Sequence, residues 1–169
     1  MPNYFYDMIP QEELAQLHYL PTVPEYLEWI VSKWADRPAL SDTVNTITYA
    51  QMGSRIARRR TLLKEAGLVP GDHVAISDKN SIDAVESFLA VTSAGMVAIL
   101  LPAQLPAPAV TGCCAKFRAK ALIVRDEFRA GVHTQTRPAL SQYRFVTSTC
   151  ASPDSSIPSG CAMIRSGVM

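Results

Sequence analysis

The stretch EAGLVPGDHVAISDKNS, residues 65–81, contains the signals that decide the fold. Gly67 stands where a helix can end in a left-handed residue. Pro70-Gly71-Asp72 predicts a tight turn, because proline and glycine preset the backbone angles that turns require. HVAIS, residues 73–77, is a short apolar run that predicts a buried strand. A helix, a turn, a strand and a following helix start together indicate an α/β chain.

The glycine-containing turn invites a phosphate-binding interpretation, which its position argues against. GLVPGD contains neither GxGxxG nor GxxxxGK[ST]. Phosphate loops follow a strand and open a helix, so that backbone N–H groups and the helix dipole meet the anion. Here the turn precedes the strand, and we expect it to be structural.

Downstream of the turn, strands and helices alternate. Asn80 or Ser81 can cap a helix over 82–94, with a predicted apolar face of Ile82, Val85, Phe88, Leu89 and Thr92. The remaining predicted elements are a strand at 96–101, a helix at 106–117, a strand at 121–125 and a further strand at 143–148. Short strands that are apolar throughout predict a parallel, doubly wound sheet with helices on both faces.

Upstream of the turn, the pattern predicts two helices and a hairpin. A helix capped by Thr22 places Val23, Leu27, Ile30, Val31 and Trp34 on one face. A small hairpin occupies 38–48. Thr48 with Gln51 forms a capping box that opens a second helix, through about Ala66. Its inward stripe is predicted as Tyr49, Met52, Ile56, Leu63 and Ala66.

Five basic residues lie close together in this second helix: Arg55, Arg58, Arg59, Arg60 and Lys64. Arg59 and Arg60 interrupt the apolar stripe and would have to extend their charged ends to solvent. We expect a solvated helix face, in preference to an anion-binding site. The net charge of +1 gives no case for a nucleic-acid partner.

The other composition signals argue against metal-bound and membrane-spanning classes. The four cysteines (Cys113, Cys114, Cys150 and Cys161) form no CxxC, and His18, His73 and His133 are scattered. We therefore expect free thiols and no metal site. The longest apolar run, 94–103, is about half the length of a spanning helix. The N-terminus lacks signal-peptide features, and the chain is expected to be cytoplasmic.

Asp78 and Asp126 follow two of the predicted strands and suggest a second hypothesis. Carboxylates at neighbouring strand ends can hold Mg²⁺, as in a receiver-type signalling domain. Such a domain also needs a lysine after its last strand, and no lysine follows Lys120. We favour turn and cap roles for both aspartates.

Three segments in order resemble the leading part of the adenylate-forming (AMP-binding) superfamily, in particular acyl-CoA synthetase-like ligases. They are TYAQM (48–52), GLVPGDHVAI (67–76) and LAVTSAGMVAILLPAQLP (89–106), followed by RAKALIVRD (118–126). The resemblance covers about residues 4–130. It implies that 1–147 form a partial N-terminal α/β subdomain of an AMP-dependent synthetase. After about residue 148 the sequence is rich in Ser, Pro and Cys and has no periodicity, which predicts an irregular, flexible tail over 148–169.

The resemblance implies ATP, Mg²⁺ and coenzyme A as the full-length family's cofactors and an acyl-adenylate intermediate. The family's Ser/Thr/Gly-rich loop ending in Pro-Lys, and its C-terminal lysine, match no part of this sequence. No catalytic residue is therefore carried over, cofactor-binding residues are left unassigned, and tight binding of these cofactors is not expected. We expect a truncated ligase whose partner is the missing remainder, with self-association through exposed apolar surface. The alternatives are a stand-alone binding or interaction module and the receiver-like domain.

Overall fold

The computed structural model describes residues 12, 22–124 and 144–147, and its centre is a four-stranded parallel sheet. The strands are β3 (His73–Asp78), β4 (Val97–Pro102), β5 (Ala121–Val124) and β6 (Arg144–Thr147). Their order is β4-β3-β5-β6. Every pair is parallel, with Val74 opposite Ala98 on one side and Ala121 on the other. This confirms the predicted parallel sheet, including the strand predicted at 143–148.

Helices cover both faces of this sheet, as predicted for a doubly wound fold. Alternate residues along a strand point to opposite faces. Val74 and Ile76 join one core cluster with α3 (Ile82–Ser93), whereas Ala75 joins the other with α4 (Ala107–Lys116). The connection from β3 to β4 and the one from β4 to β5 run in opposite directions across the sheet. Crossovers of a single hand therefore require helices on opposite faces.

The upstream elements form a second layer over α3. They are α1 (Val23–Trp34), the antiparallel hairpin of β1 (Pro38–Ser41) and β2 (Thr46–Thr48), and α2 (Tyr49–Glu65). The capping box of α2 is present: Gln51 N–H donates to the Thr48 hydroxyl, and Thr48 N–H donates to the Gln51 side chain. The inward stripe of α2 is confirmed, with Met52, Ile56, Leu63 and Ala66 buried and Tyr49 packed against them.

The turn at 70–72 joins secondary-structure elements at the amino edge of the sheet. Gly71 N–H donates to the Gly95 carbonyl at 2.8 Å, and Val97 N–H donates to the Asp72 carbonyl at 2.9 Å. The Asp72 carboxylate accepts from Val69 N–H at 3.0 Å and pairs with Lys120. These bonds tie the start of β3 to the segments that open β4 and β5. The turn is structural, as its position predicted.

The predicted apolar face of α3 is wrong in part. Val85 and Phe88 are the most exposed of the five predicted residues, at 38% and 37%. The buried face consists instead of Ile82, Glu86, Ser87, Ala90, Val91 and Ser93. Hydrophobicity alone misplaced the face by a fraction of a turn, because three of its six buried positions carry polar residues, Glu86, Ser87 and Ser93. The predicted strand at 96–101 also begins and ends one residue later.

Gly95, which follows α3 and lies against Pro70, and Gly112 in α4 provide a matched test of the packing between the 70–72 turn and the end of α3. Gly95 has φ +73°, and a Cβ there would lie 3.3 Å from Pro70 Cβ, whereas Gly112 lies in α4 with open space around it. Gly95→Ala is expected to lower the free energy of unfolding by about 1–2 kcal/mol, the cost of a left-handed non-glycine residue. Gly112→Ala is expected to raise it by about 0.5–1 kcal/mol. Urea unfolding of both variants measures the difference, and equal effects would contradict the assigned turn.

Candidate functional site

The strand order places a topological switch point at the carboxyl edge of the sheet. From β3 the chain crosses to β4 on one side, and from β5 it continues to β6 on the other side. The neighbouring strands β3 and β5 therefore have outgoing connections that run in opposite directions. In doubly wound sheets, ligands bind at such a switch point, outside the carboxyl ends of the strands. Here Ser77, Asp78 and Val124 mark those ends. This edge, and not the glycine turn, is the candidate ligand edge.

Ser77 lies at the switch point with its side chain buried. It is 2% exposed and faces the α4 side of the sheet, in register with Val124. Its hydroxyl has no hydrogen-bond partner among the residues that the structure describes. A buried hydroxyl without a partner costs roughly 1–3 kcal/mol. The burial of the Ser77 hydroxyl could not be predicted from the sequence, because a serine at a strand end is usually a turn or cap residue.

An open groove of about 680 Å³ lies on the other face of the same edge, between α3 and β4. Its wall is apolar and includes Val85, Phe88 and Leu100. Its polar rim comes from the segment that enters α3, Asp78 to Ser81, and from Gln104 beyond β4. The Ser81 hydroxyl accepts from Ala84 N–H and caps the helix, which confirms one of the two predicted caps. An apolar concavity with a few polar groups has the character of a binding surface.

The two aspartates of the receiver-like hypothesis have different outcomes. Asp78 ends β3, as predicted, and its carboxylate accepts from Lys79 N–H at 2.7 Å, the geometry of a turn acid. Asp126 lies outside the described residues. Within the described ranges, no group of three or more His, Cys, Asp or Glu side chains could hold a metal ion.

Cys113 and Cys114 are free thiols, and burial raises the pKa of Cys114 to about 11.

The basic cluster of α2 is not simply a solvated face, and this corrects the prediction. Arg58, Arg60 and Lys64 are exposed, but Arg59 is only 6% exposed. Arg59 pairs with Asp83 and with Glu86 of α3, the latter at 3.0 Å, and donates to the Ser87 hydroxyl at 3.2 Å. Arg59 therefore does not reach solvent, because α3 supplies carboxylates to its guanidinium.

Glu86 is the acceptor at the centre of this network. Its second carboxylate oxygen pairs with Arg55 Nε at 3.0 Å, and its side chain is fully buried. Burial raises the pKa of Glu86, and the two arginines only partly oppose that rise. The ionised carboxylate is thus held at a desolvation cost, so the network fixes how α2 packs on α3 more than it stabilises the fold. The signal available in the sequence was Arg59, which interrupts the predicted inward stripe of α2.

The strand order and the helices on both faces define a doubly wound α/β domain with a topological switch point between β3 and β5. The sequence matches the AMP-binding enzyme family over residues 27–159, and the chain belongs to that family. The match covers more than half of the chain and includes all strands of the central sheet.

Related proteins are ligases and transport proteins of greater length. The 3-oxocholest-4-en-26-oate–CoA ligase of Rhodococcus rhodochrous is 36% identical over 69 residues, which are 41% of this chain and 12% of that protein. Human long-chain fatty acid transport protein 1 is 33% identical over 113 residues, which are 66% of this chain and 18% of that protein. The chain thus spans less than a fifth of the length of these relatives.

Solved structures show the same fold. The anthranilate CoA ligase AuaEII, in complex with anthranoyl-AMP, superposes with a TM-score of 0.68 at 24% identity, over 75% of this chain and 24% of that chain. The N-terminal subdomain of Klebsiella oxytoca NpsA, with anthranilyl-AMSN, superposes with a TM-score of 0.58 at 26% identity, over 62% of this chain and 27% of that chain. The described residues contain no helix long and apolar enough to cross a membrane.

The buried ion-pair network predicts a sharp contrast between adjacent arginines. Arg59→Ala leaves Glu86 buried with fewer partners and is expected to lower the free energy of unfolding by about 3–5 kcal/mol. Arg60→Ala, on the exposed side of α2, is expected to change it by less than about 0.5 kcal/mol. Urea denaturation at pH 7 compares them. Similar costs for the two variants would show that Arg59 is solvated, as the sequence alone suggested.

Proposed function

We propose that this chain is the first α/β part of an adenylate-forming ligase that activates a carboxylic acid and transfers the acyl group to the thiol of coenzyme A. The observation that carries the proposal is the family match over 27–159, on a parallel sheet whose ligand edge is that of a nucleotide-binding α/β fold. The Rhodococcus relative and the similar solved structure AuaEII are both named CoA ligases, which supports the thioester step. An acyl-CoA product, in fatty acid metabolism, also agrees with the similarity to a fatty acid transport protein.

Residues 1–147 are proposed as the partial subdomain and 148–169 as an irregular, flexible tail, and the whole of 148–169 lies outside the described residues. The proposal assigns no catalytic or metal-binding residue to this chain. Its five lysines, Lys33, Lys64, Lys79, Lys116 and Lys120, all precede the position of the family's Pro-Lys loop. The chain would act in the cytoplasm, as a scaffold for a site whose phosphate-binding groups are elsewhere.

The ATP, Mg²⁺ and coenzyme A of the proposed reaction would meet the carboxyl edge of the sheet. There, Ser77 has a buried hydroxyl without a partner among the described residues, and Asp78 lies next to it. These two groups can orient a ligand or a neighbouring loop by hydrogen bonding. They cannot neutralise a triphosphate, because neither carries a positive charge. The chain's own contribution is therefore position, and charge stabilisation must come from other residues.

A binding or interaction module is the second candidate, favoured by the open apolar groove between α3 and β4. The family match favours the ligase scaffold over the receiver-like domain. The ligase and module hypotheses differ in what the groove contacts: a further part of the same enzyme, or an independent partner.

The purified 169-residue chain is expected to show no ATP–pyrophosphate exchange with a panel of carboxylic acids and no saturable ATP binding at millimolar concentration. Loss of a single charge-stabilising donor costs roughly 2.7–4 kcal/mol in a transition state, and each 1.4 kcal/mol is about tenfold in rate. Weak polyphosphate binding by the exposed cations Arg58, Arg60 and Lys64 should disappear with added salt. Salt-resistant exchange that depends on the acid would show that the active site is present.

The isolated chain is expected to self-associate. Exposed apolar side chains include Leu100 at 63%, Val97 at 45% and Val69 at 54%, and exposed apolar surface of this kind favours association. Light scattering across a concentration series should give a mass that rises with concentration. A mass that stays at 18.5 kDa over that series would contradict the scaffold interpretation.

A further inference from the structure

The segments that enter β3, β4 and β5 meet at the amino edge of the sheet, opposite the candidate ligand edge. Val97 N–H donates to the Asp72 carbonyl at 2.9 Å, and Lys120 N–H donates to the His73 carbonyl at 2.8 Å. The Nδ1 atom of His73 lies 2.6 Å from the Phe117 carbonyl oxygen, at hydrogen-bond distance. These bonds join the three segments into one connected surface at the amino edge.

Apolar side chains project from this amino edge. Val69, Val97 and Phe117 are each close to half exposed. Val97 and Phe117 lie on the α4 side of the sheet, since Val97 is in register with His73 and the His73 ring contacts the Phe117 carbonyl. A single exposed apolar residue is ordinary, whereas several at one edge are typical of surfaces that bind a protein or a membrane.

The charge around Phe117 is positive. Lys116 and Arg118 are both exposed, and the Lys116 ammonium lies 5.7 Å from the centroid of the Phe117 ring. Neither cation forms an ion pair within the part of the chain that the structure describes. The third cation of this edge, Lys120, pairs with Asp72, which is the only acidic residue in the three entering segments. An exposed aromatic ring therefore lies between two uncompensated cations.

Arg118 has a backbone conformation that usually belongs to glycine. Its φ is +52°, and the other residues with positive φ in the described ranges are glycines. Arg118 N–H donates to the Ala115 carbonyl at 3.2 Å and Ala119 N–H to the Cys114 carbonyl at 2.9 Å, which is the Schellman pattern at the end of α4. The Cβ of an L residue is disfavoured at this position. A charged residue at a strained position points to a role for its side chain.

We propose that the amino edge of the sheet docks on the surface of an anionic lipid bilayer. Phe117, Val69 and Val97 would enter the interfacial region, while Lys116 and Arg118 contact lipid phosphates. Basic side chains suit this boundary because their aliphatic stems leave water as the charged ends reach the headgroups. The candidate ligand edge would then face away from the membrane.

A bilayer fits this edge better than an acidic protein does. Protein partners place their anchoring side chains in pockets. The groove between α3 and β4 lies at the opposite edge of the sheet, whereas the apolar side chains of the amino edge lie on separate turns. The inference is independent of the proposed ligase function, because it uses neither the switch point nor the groove.

Vesicle flotation of the purified 169-residue chain tests this surface, because bound protein rises with the vesicles and self-associated protein does not. The vesicles contain phosphatidylcholine alone or an equal mixture of phosphatidylcholine and phosphatidylserine. The charge variants are Arg118→Gly and Lys116→Gln, and Arg60→Gln, on the exposed side of α2, is their control. The apolar variant is Phe117→Ser, and its control is Leu100→Ser, a more exposed side chain at the groove. Circular dichroism of each variant checks that it is folded.

The unsubstituted chain is expected to float with the phosphatidylserine vesicles and not with phosphatidylcholine alone. Arg118→Gly and Lys116→Gln should each lower the partition coefficient about fivefold, equivalent to about 1 kcal/mol per basic residue at an anionic surface. Arg60→Gln should lower it by less than about twofold, since a distant charge is screened. Phe117→Ser should weaken binding and Leu100→Ser should not. Arg118→Gly should also raise the urea midpoint, because glycine removes the strain, so weaker binding by a more stable variant excludes a merely structural role.

Absence of flotation with the phosphatidylserine vesicles would overturn the proposal and leave the proposed ligase function untouched. Equal effects of Lys116→Gln, Arg118→Gly and Arg60→Gln would also overturn it, because they would show a general attraction to the chain's cations. Equal binding by Phe117→Ser and Leu100→Ser would contradict insertion of the ring. Displacement of the chain from vesicles by polyglutamate at the same charge concentration would indicate an acidic protein partner instead, and retention on the vesicles supports the bilayer.

Discussion

The pairing of β3 with strands on both sides is the interaction on which the rest of the structure depends. Val74 lies opposite Ala98 in β4 and Ala121 in β5, and the register continues without a break to the end of β3. This strand separates the two core clusters, since Val74 and Ile76 face α3 and Ala75 faces α4. Its position also sets the switch point between β3 and β5, because the connection from β3 to β4 and the connection from β5 to β6 run in opposite directions. The candidate ligand edge is therefore a consequence of strand order.

Electrostatics plays a different part, which is to orient one helix on another. Arg59 of α2 contacts two carboxylates of α3, and burial raises the pKa of Glu86 against the pull of both arginines. Since buried ion pairs contribute little net stability, apolar packing around Leu63 and Val91 has to stabilise the same interface. The charges make alternative rotations of α3 costly, because any such rotation leaves a buried charge without a partner.

Much of the fold could be predicted from the sequence because its signals are local. The capping box at Thr48, the left-handed Gly67 and the apolar run at 73–77 each depend on a few neighbouring residues. The buried face of α3 could not be predicted in the same way, because Glu86 is buried only through arginines 27 and 31 residues earlier in the chain. Ser77 and the α3–β4 groove were missed for a similar reason: each depends on which strands become neighbours.

Amide hydrogen exchange of the 169-residue chain, followed by NMR or by mass spectrometry of short peptides, tests most directly whether β3 is the central strand of a parallel sheet. An interior strand exchanges only through large openings, whereas an edge strand exchanges through local ones. The amides of 74–77 are expected to be the slowest in the chain, with those of 122–124 close behind, and those of 98–101 clearly faster. Exchange of 74–77 at the rate of 98–101 or faster would contradict the central position of β3.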